Sequence, residues 1–166
     1  MKKYTIFIGV TLLSLSFAGT LYADHTWGNY HWGRTSNPFT LQLGDALTTP
    51  AWDAALNTAS QDWTLSSVLD TRVVSSSVNP KTCKPTSGRV EVCNSKYGNN
   101  GWLGLTQVWT TGGNHITQAT TKFNDTYFTR APYNSTVWRN LVSCHEIGHT
   151  LGLDHQDTVF ENANLG

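Results

Sequence analysis

His145-Glu146-Ile147-Gly148-His149-Thr150-Leu151-Gly152-Leu153-Asp154-His155 is the stretch on which the reading of this chain turns. Residues four apart share one helix face, so the imidazoles of His145 and His149 can converge on one ion. Neutral imidazole nitrogen suits Zn2+ at about 2.0–2.1 Å. Glu146 falls at a neighbouring helix position, near that ion but poorly placed to ligate it. There it can take a proton from a zinc-bound water. The helix supplies two ligands, and the spacing beyond it supplies the third. Gly152 adopts a left-handed conformation at little steric cost, so it can end the helix and turn the chain back. His155 then reaches the same ion, and three His ligands leave the fourth position open for water, as a hydrolytic zinc requires. A bare His-Glu-x-x-His has false positives on exposed helices. Gly152 and His155 at fixed offsets, on an amphipathic helix ended by glycine, make chance a poor explanation.

Outward from the motif, the helix is predicted from Val137 to about Leu151, with Asn134, Ser135 or Thr136 as its cap. Upstream, Ile116 to Phe123 and Leu103 to Trp109 read as strands joined by Thr110 to Asn114, whose Gly-Gly pair suits a hairpin. Arg89-Val90-Glu91-Val92 alternates, as does Phe39-Thr40-Leu41-Gln42-Leu43, and Val68 to Val74 reads as another strand. Between the first two strands, Trp52, Ala55, Leu56, Ala59 and Trp63 recur at helical spacing after Pro50, which a first helical turn tolerates. Residues 24 to 37 carry Trp27, Tyr30, His31 and Trp32 without periodicity and read as a segment lying over the domain. A strand, a helix, several strands and a final helix indicate an α+β domain with segregated layers.

A length of 166 residues suits one domain. Lys2 and Lys3, the uncharged apolar run Ile6 to Phe17 and the small residues before Ala23 read as an export signal over residues 1–23. The alternative is a membrane anchor, but a run of about a dozen apolar residues falls short of the ~20 that span a bilayer. Residues 24–166 would then be the mature domain. Formal net charge is zero with only 13% charged residues, which argues against a nucleic-acid or membrane-surface binder. Export permits disulfides, and Cys83 and Cys93 bracket a plausible bridged loop with Pro85 and Gly88. Cys144 is left over, as a buried free thiol or half of a bridge whose partner is absent.

The spaced motif His145, Glu146, His149, Gly152, His155 resembles the elongated signature of the metzincin clan of zinc metalloendopeptidases, in its matrixin-like branch. Phe39 to Asp45 looks like that fold's first strand and Pro50 to Trp63 like its first long helix. Gly101 to Leu105 resembles the edge strand that borders the cleft. The resemblance implies a twisted mixed sheet of about five strands, with a backing helix and an active-site helix. It implies a secreted, monomeric enzyme that hydrolyses peptide bonds, with His145, His149 and His155 on Zn2+ and Glu146 as the base. Protein or peptide substrates would lie antiparallel to the edge strand, with Gly104 and Leu105 as candidate backbone contacts. Two departures stand out. The only methionine is Met1, so the methionine turn that metzincins place beneath the zinc has no counterpart in Gln156 to Gly166, and the chain reads as C-terminally truncated. No cysteine precedes Cys83, so latency through a propeptide thiol is not expected.

Weaker candidates are read blandly. His25, His31 and His115 fit no ligand spacing and read as surface or packing residues. Asp154 or Asp157 could orient a ligand imidazole, although exposed loop carboxylates are the commoner case. Asn124-Asp125-Thr126 and Asn134-Ser135-Thr136 match the glycosylation sequon but such tripeptides arise by chance. The rival functional reading is a zinc-binding interaction module with weak or no catalysis.

Overall fold

Alternating apolar residues in the two clearest strand segments do pair in one sheet. The computed structural model describes residues 26–155; the expected export signal at 1–23 and the tail at 156–166 lie outside the described residues. β1 (His31–Trp32) is followed by β2 (Phe39–Ala46), α1 (Pro50–Thr64), β3 (Leu69–Ser75) and β4 (Val90–Ser95). Then come β5 (Gly104–Thr111), β6 (His115–Asn124), the short α2 (Asp125–Phe128) and α3 (Thr136–Thr150). The sheet has six strands where about five were expected. The added one is β1, a two-residue strand too short to show a period.

β2 pairs in parallel with β3 on one side and β4 on the other, and β4 pairs in parallel with β6. β1 adds in parallel to the start of β6, through His31 opposite His115 and Trp32 opposite Ile116. Only β5 runs antiparallel, because the short turn at Gly112-Gly113 folds it back on β6 as a hairpin. The sheet is therefore mixed but mostly parallel. β5 lies at its margin, with no strand on its outer side among the described residues.

Burial follows the sequence periods. The inward face of α1 is Trp52, Ala55, Leu56, Ala59 and Ser60, the i, i+3, i+4, i+7 spacing of an amphipathic helix. Leu41 and Leu43 of β2 and Val90 and Val92 of β4 are fully buried beneath it. Trp52 stacks on Phe123 at 4.3 Å, and its indole N–H donates to Asp125 Oδ1 at 2.8 Å. Burying side chains of this size contributes roughly 1.5–3 kcal/mol each, and an indole pays no polar penalty when its N–H is bonded. α1 packs on β3 and α3, and α3 packs on β5 and β6, so the two long helices share one face of the sheet. The Trp63 indole of α1 donates to the Cys144 carbonyl of α3 at 3.1 Å. That contact sets α3 across the sheet with its last turn beside β5. No helix among the described residues is long and apolar enough to cross a membrane.

Candidate metal centre

α3 starts at Ser135, whose hydroxyl accepts from the Trp138 N–H at 3.3 Å, so the middle of the three candidate caps is the one used. Its last two turns carry His145, Glu146 and His149. The helix ends where Leu151 and Gly152 donate their N–H groups to the carbonyls of Gly148 and His149, each at 3.0 Å. Gly152 has φ of 92°. A side chain is disfavoured in that left-handed region, and a Cβ there would also fall on the Tyr30 carbonyl oxygen. The chain therefore reverses at Gly152, as the sequence implied, and brings His155 back to the helix.

The three imidazoles meet at their Nε2 atoms. His149 and His145 are 2.9 Å apart, and His155 lies 3.1 Å from each. His149 Nδ1 is 2.8 Å from the Leu153 carbonyl oxygen, which accepts only, so the ring proton belongs on Nδ1 and Nε2 carries a lone pair. Three neutral rings cannot satisfy such a triangle by hydrogen bonds alone, because the His149 proton is already committed. A shared cation satisfies it. An ion at about 2.0–2.1 Å from each nitrogen would fit a triangle of these sides. The donor set, three imidazoles and no thiolate, suits zinc among several transition metals. Among the described residues these three histidines are the group able to hold a metal ion. His145 keeps one edge open to solvent, yet burial, and then the adjacent His149 and His155, push its pKa down to about 4. The ring thus stays in its neutral, ligating form well into the acid range.

Glu146 is 6% exposed. The Thr106 hydroxyl of β5 lies 2.7 Å from its Oε2. Burial raises the carboxyl above its ordinary pKa, while the Thr106 bond and the charge of His155 oppose that rise. A carboxylate so placed holds a proton more readily than one in water, which is what a general base must do transiently. Gly104 makes the approach possible, since a Cβ there would stand 2.5 Å from Glu146 Cγ and Oε1. Leu105, the next residue, turns outward and is 38% exposed. A cleft of ≈ 320 Å³ runs between the start of β5 and α3, bordered by Trp102, Leu103, Trp138, Leu141, His145 and Glu146. A separate apolar hollow of ≈ 420 Å³, near Trp32, Phe39 and Trp63, contains none of the three histidines and not Glu146.

The weaker candidates sort out by geometry. His31 and His115 meet edge-on at 4.8 Å, and no third ligand joins them among the described residues; His25 lies outside those residues. Asp154 accepts from the His155 backbone N–H at 2.7 Å but stays 3.9 Å from its Nδ1, so it fixes the loop and not the ring. Cys83 and Cys93 form the expected disulfide. Cys144 is a free, half-buried thiol, pushed up in pKa by burial first. Asn124 is fully buried, its amide donating to the Gly98 carbonyl and Asn100 Oδ1 at 2.9 Å each, so that sequon serves the loop.

Three features of the centre had no sequence signal: Thr106 on Glu146, the Leu153 carbonyl on His149, and Trp27, whose indole stacks on the His149 ring at 5.0 Å. The sequence matches no protein-family model, and a comparison with curated proteins finds no match.

Proposed function

We propose that this chain is a secreted zinc metalloendopeptidase of the metzincin type, holding Zn2+ through His145, His149 and His155 and using Glu146 as general base. The observation that carries the proposal is the convergence of three Nε2 atoms within 2.9–3.1 Å, next to a buried carboxylate held by Thr106. Zinc bound there supplies Lewis-acid polarisation, of water and of a substrate carbonyl, in a three-ligand site with an open position.

The chain's own residues do the rest. Glu146, kept out of bulk solvent, accepts a proton from the attacking water through the carboxylate and returns it to the departing amine of the cleaved peptide. Thr106 holds one carboxylate oxygen, leaving Oε1 to exchange the proton. Among the described residues β5 offers an unpaired edge, with the bare backbone of Gly104 beside Glu146, and an extended peptide adding to that edge would run past the carboxylate. Export, peptide substrates and action as a single chain follow from the same reading. The zero net charge and the largely apolar cleft give it no feature suited to nucleic acid.

The test is Glu146→Gln, which keeps the shape of the side chain and removes its basicity. Zinc content should stay at the wild-type value, while hydrolysis of unstructured casein falls by about 100-fold or more. A chelator should abolish the wild-type activity. Casein cleavage that survives the substitution would overturn the role of Glu146; a wild-type protein that holds zinc but cleaves nothing would favour the interaction module.

A further inference from the structure

The segment between the second and third ligands is gripped, residue by residue, by the start of the described chain. Trp27 stacks on the His149 imidazole with ring centroids 5.0 Å apart and planes 5° from parallel. The Trp27 backbone N–H donates to the Gly152 carbonyl at 2.9 Å, and Thr26 forms an antiparallel bridge with Leu153. The Trp32 indole donates to the Thr150 carbonyl at 2.8 Å. The Tyr30 carbonyl packs against the Cα of Gly152 so closely that no side chain fits between them. Between these contacts the strap bends through Gly28 and Asn29, at φ of 48° and 65°, and the Tyr30 N–H closes the turn on the Trp27 carbonyl at 2.7 Å. Two successive left-handed residues make this a primed turn, the kind that folds a chain tightly back on itself. Trp27 itself is only half-buried and lies outside the core cluster, so the domain's packing gives it no other task.

We infer that residues 26–32 are a positioning strap for the metal centre, with Trp27 as the residue that fixes the His149 ring and the reversal that delivers His155. The inference rests on the metal-binding reading above. A stacked indole restricts ring rotation of His149 about an axis that its Leu153 bond leaves free. Groups that orient a ligand imidazole in this way typically change metal affinity by about 10–100-fold when removed. The strap also bridges Leu153, whose carbonyl holds the His149 ring, so loss of its contacts loosens two of the three ligands together. Trp27 acts through the His149 ring and the Gly152 carbonyl, as a positioning residue.

The experiment is a competition titration of Zn2+ against a chromophoric chelator, on wild type, Trp27→Ala and Trp27→Phe. It is accompanied by the absorption spectrum of the Co2+ forms and by thermal melts of the metal-free proteins. Trp27→Ala should bind Zn2+ about tenfold or more weakly than wild type and show an altered Co2+ spectrum. Trp27→Phe, which keeps a stacked ring, should restore affinity to within about threefold of wild type. Metal-free melts that match wild type separate this effect from a loss of fold; a metal-free Trp27→Ala that melts far below wild type would make Trp27 a core residue and overturn the inference. Wild type and Trp27→Ala binding Zn2+ within twofold of each other would overturn the strap alone. A wild type that binds no Zn2+ would bring down the metal centre and the strap with it.

Discussion

Glu146 is held between two constraints from one strand. Thr106 fixes its Oε2 at 2.7 Å, and Gly104 clears the space its Cγ and Oε1 occupy. Displacing that carboxylate should separate metal binding from catalysis. Gly104→Val puts branched carbon where the carboxyl now lies, and misplacing a catalytic group by about 1 Å can cost 100-fold in rate. The expected result is zinc content unchanged and kcat/KM on a peptide substrate down by about 100-fold; parallel loss of zinc would contradict the view that Gly104 serves only Glu146. The histidines and Glu146 were readable because a helix places residues four apart on one face, and Gly152 declares its own turn. Thr106 was not, since a threonine in an alternating strand carries no mark of a partner forty residues away. Asp154 misdirects a sequence reading for a similar reason: its neighbour His155 is one of the three converging imidazoles, but its carboxylate binds that residue's backbone N–H.

At the scale of elements, the loop from β4 to β5 supports the cleft rim. The Tyr97 hydroxyl donates to the Pro80 carbonyl at 2.6 Å, its ring leans on Trp102 at 5.4 Å, and its N–H donates to Asn124 Oδ1 at 3.1 Å. Burial first, and then the charge of Asp125, push the Tyr97 phenol up to about 12. In the unfolded chain it ionises near 10. The folded form therefore retains the proton more tightly, and its contribution is complete below about pH 10 and lost as pH rises through about 12. Urea midpoints measured from pH 9 to 12 should fall more steeply for wild type than for Tyr97→Phe; equal slopes would show that the phenol does not titrate from its buried setting. Long elements were legible here, as α1, α3, β2 and β6 carry enough residues to show a period of 3.6 or 2. β1 and α2 were not: two residues and four residues are too few to show one.

For the whole molecule, the sheet order decides what touches what, and that order is written in long-range pairing rather than in local pattern. The periods placed β2 and β4 as strands but could not say that they lie side by side, with β3 at one margin and β5 at the other. The result is that α3, buttressed by Trp63 of α1, lies along β5, while the strap from β1 reaches over the end of α3. Sequence-distant parts thus meet at one triangle of nitrogens, and a metal ion bound there would couple them. Zinc stoichiometry after exhaustive dialysis against metal-free buffer, measured on wild type and His149→Ala, tests this most directly. The account expects about one equivalent of Zn2+ per wild-type chain and almost none in the variant. Zinc-free wild type, or equal zinc in both proteins, would contradict it.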